Sequence, residues 1–366
     1  RQRQMCIRDR NMSKRDDIKR IWSECFDDSS EYVDMYFSRV YSDADGMTLE
    51  KNGKTVSSLL LQRYAMRFHG KDVPVSYVAG AATRRNARGK GYMSELMIEA
   101  LYASAERGDM LCALIPAHDW LYYYYDRFGF STVFFVDAQR FTSFHSFPVT
   151  GSYHLMEDPY APEVYEAFSR MEHEREGAVV HSQRDFLNII DDLSLDTGGH
   201  MVVMSNDQNE IVSMAWSVVR DDMVVVNELL GVDVDARTAA LRQLRGIYGD
   251  MPFKVLAPAS ENEGSRRKLY PHGMARLVNV LMCLEAMAAA HEKWTCNIRV
   301  RDDLMPVNSH YYRVAGGRVE IDDECTKQPD LDVDIDVLTK VVFSSPRIGD
   351  VLGVPSVRPR MALMLD

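Results

Sequence analysis

The sequence predicts a mixed α/β fold made of more than one layered domain. Three observations point there. The chain has 366 residues, more than one ordinary core holds. Its apolar residues repeat every second position in some stretches and at helical spacing in others. Between Val75 and Phe135, an apolar strand, a basic glycine loop, an amphipathic helix, a buried strand and an aromatic exit follow one another. That order lays helices on a sheet.

Composition narrows the function. Hydrophobic content of 46% and charged content of 27% are those of a folded globular protein. The formal charge of −11 argues against nucleic acid and for a neutral or cationic substrate. Arg84, Arg85, Arg88 and Lys90 are a local exception in an acidic chain. The six cysteines lack CxxC spacing and read as free thiols of a reducing compartment. No apolar run reaches 18 residues, so a soluble, cytoplasmic protein without membrane contact is expected. The first eleven residues have no periodicity, and the natural start is expected at Met12.

The elements follow in order. Ile18, Ile21, Trp22 and Cys25, then Val33, Tyr36, Phe37 and Val40, mark two short helices, with Ser29 and Ser30 as candidate caps for the second. Strands at 47–51 and 55–68 flank Asn52–Gly53, a hairpin turn signal. Val75 opens the central strand. The helix after Gly91 sets Met93, Leu96, Met97, Ala100, Leu101 and Ser104 on one face, and Met110–Ile115 reads as a doubly covered strand. After a Ser/Pro-rich crossing, a second unit of the same order spans helices at 165–177, 185–192 and 235–247 and strands at 201–205, 210–219, 223–232 and 253–258. In place of a basic loop it carries Asp233 and Asp235, which would repel a phosphate. A third unit begins near Met274, with a helix stripe from Leu277 to Ala288 and strands at 294–301, 310–321 and 331–337. The alternating Asp330–Asp336 segment reads as a solvated acidic face, Arg266–Lys268 as an exposed turn, and 334–344 and 346–352 as a terminal pair of short helices.

The chemistry concentrates in the loop. Arg88-Gly89-Lys90-Gly91 offers two positions without a Cβ, two cations, and the free N–H groups of a first helical turn. Those groups suit a pyrophosphate. The loop is neither a Walker loop nor a dinucleotide fingerprint, since GK[ST] and the glycine spacing are missing. Downstream, Trp120 reads as packing, Asp119 as a helix cap, and Tyr122, Tyr123 and Tyr124 as core or rim residues. The histidines show no metal-ligand spacing, and no metal is expected.

The loop Arg88-Gly89-Lys90-Gly91-Tyr92-Met93 resembles the pyrophosphate loop Arg/Gln-x-x-Gly-x-Gly/Ala of the GNAT superfamily N-acetyltransferases. Met93 in place of the last small residue, the three-unit order, and Met274-Ala275-Arg276-Leu277-Val278-Asn279-Val280 resemble the Eis-like (enhanced intracellular survival) branch. The resemblance covers most of the chain. It implies tandem GNAT-like domains at 12–140, catalytic, and 141–273, degenerate, then a sterol-carrier-like α+β domain at 274–366. It implies acetyl-CoA as donor, held by Ala81, Ala82 and Thr83 at the pantetheine arm and by Arg88, Gly89, Lys90, Gly91, Tyr92 and Met93 at the pyrophosphate. The general acid would be Tyr125, in Tyr125-Asp126-Arg127-Phe128-Gly129, and the base a carboxylate of Asp366, either its α-carboxylate or its side chain. The family also implies a closed homo-oligomer.

Acyl transfer from a thioester needs a neutral amine, a polarised carbonyl, a proton for the leaving thiolate and a fixed anchor. The expected activity is therefore acetyl transfer to an amine of a small cationic molecule or a lysine side chain. The alternative is a non-catalytic protein holding acyl-CoA or an apolar ligand on a degenerate acetyltransferase scaffold.

Overall fold

The computed structural model describes residues 13–258, 269–343, 350–355 and 357–365. Met12, the turn Arg266–Lys268, the start of the expected 346–352 helix and Asp366 lie outside the described residues.

The chain opens with α1 (Lys14–Cys25), closed at its start by a Ser13/Asp16 capping box that satisfies two otherwise orphaned N–H groups. Next is α2 (Ser30–Met35), with Ser29 as its cap: Ser29 Oγ accepts from Tyr32 N at 3.1 Å. The strands β1 (Gly46–Lys51), β2 (Lys54–Phe68) and β3 (Lys71–Thr83) form an antiparallel meander. Asn52 and Gly53 both have positive φ, the backbone a two-residue hairpin turn needs. Then come α3 (Tyr92–Glu106), β4 (Leu111–Leu114) parallel to β3, α4 (Asp119–Asp126) and β5 (Ser131–Phe141). The period of two in β2 divides its apolar residues between two cores. Leu60 joins Trp22, Tyr36 and Phe37 on the α1 face, while Leu59 and Leu61 join Leu96, Met97 and Leu101 on the α3 face.

The second half holds β6 (His154–Leu155), α5 (Pro162–His173), β7 (Val179–Val180), α6 (Gln183–Leu195), β8 (His200–Ser205), β9 (Ile211–Arg220), β10 (Met223–Gly231), α7 (Val234–Tyr248) and β11 (Phe253–Pro258). Its β10–α7–β11 repeats the parallel strand–helix–strand order of β3–α3–β4. Among the described residues, these eleven strands and β12 (Leu269–Leu277) form one sheet, in the order β1-β2-β3-β4-β12-β5-β11-β10-β9-β8-β6, with β7 on β2.

The strand β12 (Leu269–Leu277) enters this sheet between β4 and β5. The boundary expected between 273 and 274 runs through it, because Met274–Leu277 pair with Leu111–Leu114. The physical reason is the second edge of β4, which is buried on both faces and needs a partner for its polar backbone. The helix expected from Leu277 begins at Val280 instead, as α8 (Val280–Ala290), where Asn279 Oδ1 accepts from Met282 N at 3.0 Å.

A separate four-stranded sheet holds β13 (Cys296–Arg301), β14 (Tyr311–Ala315), β15 (Arg318–Ile321) and β16 (Leu331–Asp334), in the order β15-β14-β13-β16. The strand expected over 331–337 stops at Asp334. The helix expected over 334–344 is present as α9 (Ile335–Phe343), where Ile335, Leu338, Val341 and Val342 share a buried face at helical spacing. Asp332 and Asp334 are not a purely solvated row, since both pair with Arg301 across the parallel strand. No described helix is long and apolar enough to cross a membrane.

Candidate active site

The pairing of β3 with β4 covers only Val75–Tyr77 against Leu111–Ala113. From Val78 to Thr83 the strand runs on without that neighbour, so the two strands part in a V. Within this free stretch the register with β2 slips: Leu60 faces Ala79 and Ser58 faces Ala82, leaving Leu59 opposite both Gly80 and Ala81. This is a β-bulge, which takes backbone groups out of the ladder. Gly80 has φ of +57°, and a Cβ there would lie 2.2 Å from the Trp22 ring. Only glycine fits.

Past the bulge, Ala81, Ala82 and Thr83 lead into the basic loop. Arg84 is held by Thr55 O (2.8 Å) and faces Glu24 at 3.4 Å. Arg88 Nε donates to Thr83 O at 3.1 Å, folding the loop onto the strand end. Gly89 and Gly91 have φ of +77° and +78° and no heavy atom within 4 Å of where a Cβ would stand. Gly91 caps α3 without any side-chain hydrogen bond, leaving the first-turn N–H groups of Tyr92 and Met93 without a side-chain cap. Arg88 and Lys90 are exposed beside this positive helix end. The donor set fits a pyrophosphate. Lys51 pairs with Glu95 in the first turn of α3 (2.7 Å).

Tyr125 is the one buried residue of α4. It packs against Phe130, Tyr124 and the α3 core. Burial first, then Tyr124 and Cys112, raise its phenol well above the usual value, so it stays protonated. Tyr124 places its hydroxyl 3.3 Å from Ser94 Oγ in the first turn of α3. The neighbouring residues differ from expectation. Trp120 is 61% exposed, because its side of α4 faces solvent. Asp119 stands inside the helix, after His118 at the cap position.

Beside α2 and α6 the fold gathers groups that spacing alone did not bring together. A cavity of about 330 Å³ lies among Tyr32, Asp192, Asp196, Trp216, Asn227 and the tail residues Leu363, Met364 and Leu365. Burial, with Asp196 and Asp28 adding to it and Arg220 opposing, pushes the Asp192 carboxyl up to about 6. Trp216 is buried, and its indole N–H has no acceptor among the described residues. Trp22 connects this side to the bulge: its ring covers Gly80 and its N–H donates to Asp28 at 2.7 Å. In the sequence Asp192 shows only as the end of a helix pattern and Trp216 as part of a strand, and Asp196 belongs to neither.

The tail is stitched down before it reaches the cavity. Arg360 N donates to Gly177 O at 2.8 Å, and Val179 N donates to Arg360 O at 2.9 Å. The Arg360 side chain reaches Glu228 (3.2 Å), which also takes Arg175 (3.0 Å). Glu228 follows a second bulge, at Asn227, where β10 slips against β9. Arg360 Nη2 bonds the Asn227 carbonyl at 3.2 Å. In the second half, the start of α7 is likewise filled from within. Asp233 caps Ala236 N at 2.7 Å, and Asp235 accepts from Thr150 N (3.0 Å), Gly151 N (2.8 Å) and Tyr153 OH (2.9 Å). A carboxylate stands where the first half leaves its helix N-terminus open.

Residues 6–133 match the family model of the acetyltransferase (GNAT) domain, and residues 280–352 that of the sterol carrier protein domain. The chain thus carries a GNAT acetyltransferase domain at its start and a sterol carrier protein domain towards its end, the two domain types that the Eis-like resemblance implied. Its fold is shared with a conserved protein from Enterococcus faecalis V583 described as a probable N-acyltransferase, at TM-score 0.77 and 16% identity over 95% of this chain and 96% of that one. A GCN5-related N-acetyltransferase from Anabaena variabilis gives 0.73 and 15%, over 94% and 91%. Eis1 from Mycobacterium abscessus gives 0.70 and 16%, over 96% and 97%. Comparison with curated proteins finds no match. GNAT acetyltransferases draw on acyl-CoA donors in general.

Proposed function

We propose that this GNAT protein transfers an acetyl group from acetyl-CoA to an amine of a small cationic molecule or of a lysine side chain, by direct attack. The observation that carries this reading is the uncapped, basic start of α3 beside a bulged strand that has parted from its neighbour. Arg88, Gly89, Lys90, Gly91, Tyr92 and Met93 would hold the pyrophosphate, and Ala81, Ala82 and Thr83 the pantetheine arm. When bound, acetyl-CoA supplies an activated thioester carbonyl. Backbone N–H groups at the Gly80–Ala81 bulge are suited to polarise an oxygen, because the ladder no longer uses them all.

Tyr125, kept protonated by burial, serves as the general acid. The carboxylate of Asp366 serves as base; the residues before it, Leu363–Leu365, line the acidic cavity. Asp192 and Asp196 attract the ammonium of the acceptor and favour cationic amines.

The test is thiol release from acetyl-CoA against aminoglycosides, polyamines and lysine peptides, with Tyr125→Phe beside the wild type and coenzyme A binding measured by calorimetry. The reading expects turnover with at least one amine and a kcat at least about 100-fold lower for Tyr125→Phe. Absence of coenzyme A binding at millimolar concentration would refute it.

A further inference from the structure

The fully buried Arg276 of β12 belongs to neither the donor loop nor the cavity. Its Nη1 donates to Phe128 O at 2.7 Å, and its Nη2 to both oxygens of Asp302, at 2.7 and 2.6 Å. Its Nε has no acceptor among the described residues. A guanidinium in such a place is costly, and an apolar side chain of similar volume would commonly be at least as stable there. Stability alone gives a weak account of it.

What it grips points to a use. Phe128 N donates to Tyr125 O at 2.9 Å, so the carbonyl held by Arg276 belongs to the turn that ends the Tyr125 helix. The next residue, Gly129, has φ of +77°, and a Cβ there would lie 2.5 Å from Arg276 Nη1 and 3.0 Å from Ile335 Cγ2. The turn and the guanidinium are therefore in close contact, with no room for slack. At the other end, Asp302 accepts from Met305 N (3.0 Å) and Asn308 Nδ2 (3.0 Å). Asn308 Oδ1 accepts from Val280 N at 3.1 Å, at the start of α8, and Asn308 O accepts from Tyr312 OH at 3.1 Å, on β14. An unbroken chain of buried hydrogen bonds thus runs from the sterol-carrier domain to the backbone three residues past Tyr125.

We propose that Arg276 is a positioning residue for acetyl transfer: gripped by Asp302 of the sterol-carrier domain, it fixes the turn after Tyr125 and so the place of the Tyr125 hydroxyl. This rests on reading Tyr125 as the acid. The sterol-carrier domain then acts on catalysis through a rigid polar link, in addition to anything it binds. A shift of the phenol by a fraction of an ångström is enough to slow proton delivery while donor binding stays intact.

The experiment is a double-mutant cycle with Arg276→Lys, Tyr125→Phe and the double variant, read as kcat with saturating amine and as acetyl-CoA Kd by calorimetry. Arg276→Lys keeps the charge and loses the fork. The expected result is a kcat lower by about tenfold or more for Arg276→Lys, with Kd within about twofold, and less than about twofold further loss when Lys is added to Tyr125→Phe. The near-isosteric Asp302→Asn is read by the same cycle, so the inference stays testable where Arg276→Lys does not fold. Equal fractional losses in both backgrounds, an unchanged kcat, or an effect confined to Kd overturns the positioning role. If Tyr125→Phe alone turns over like the wild type, the acid assignment itself falls.

Discussion

The Glu228 clamp on the tail yields the sharpest number. Burial by itself would raise this carboxyl. The Arg360 and Arg175 guanidiniums, with the Leu229 N–H, overcome that and hold it at about 2, against an ordinary 4.5. A depression of that size favours the folded, ionised state by about 3 kcal/mol. The contribution is complete above pH 4.5 and is lost as the pH falls from there towards 2. Replacing Glu228 by Gln removes the charge and leaves two guanidiniums facing each other in a buried site, a change that typically costs about 3–5 kcal/mol. The loss should appear first where the clamp works, at the tail bridge, where Val179 N donates to Arg360 O and Arg360 N to Gly177 O. At pH 7, exchange of these two amides should quicken about 100-fold in Glu228→Gln, since each 1.4 kcal/mol is a factor of ten. Amides of β2 and β3 far from the tail serve as the internal control. A change below about threefold at Val179 and Arg360 would refute the reasoning. So would a tail in the wild type that keeps full protection down to pH 2.

Three further outcomes are expected. Gly80→Ala should cost about 2–4 kcal/mol in chemical unfolding, from left-handed strain plus displacement of the Trp22 ring; a loss under 1 kcal/mol, on the same scale, would mean the bulge relaxes freely. Lys90→Ala together with Arg88→Ala should weaken coenzyme A binding by about tenfold or more at low salt and flatten its salt dependence, checked by calorimetry at two ionic strengths. Because Asp192 ionises only near pH 6, the KM for a cationic amine should fall as pH rises through that value. Asp192→Asn should remove the inflection in a pH series of KM and leave coenzyme A affinity unchanged.

How much of this was legible in the sequence differs by element. The Asn52–Gly53 turn, the Ser29 cap, the α3 face and the loop from Arg88 to Met93 are local chemistry, settled by residues within a few positions of each other. The turn, the cap, the helix face and the place of the loop just ahead of a helix were read correctly. The strand β12 was missed because Met274–Leu277 carries no strand period of its own, being buried on both faces, and its pairing partner lies some 160 positions away in sequence. The strand expected over 331–337 and the helix expected over 334–344 overlap, because Ile335 fits both periods, and packing on β5 and β12 gave the shared residues from Ile335 on to the helix. At the site, Asp192, Asp196 and Trp216 gave no motif to find. Asp192 and Trp216 are ordinary members of a helix and a strand, Asp196 follows the helix end, and only folding brings them to the segment Leu363–Leu365.

By itself, then, the sequence determined the open cationic start of α3, the glycines that keep it open and the acidic replacement at Asp233 and Asp235 in the second half. Those depend on backbone conformation and charge within one turn of chain, which neighbouring residues dictate. The tertiary structure alone decided that β12 seals the edge of β4, that Arg276 reaches the Tyr125 turn, and that Glu228 draws the tail to the cavity. Such contacts join residues separated by tens to hundreds of positions, and they exist only once strand register and core packing have fixed every intervening element.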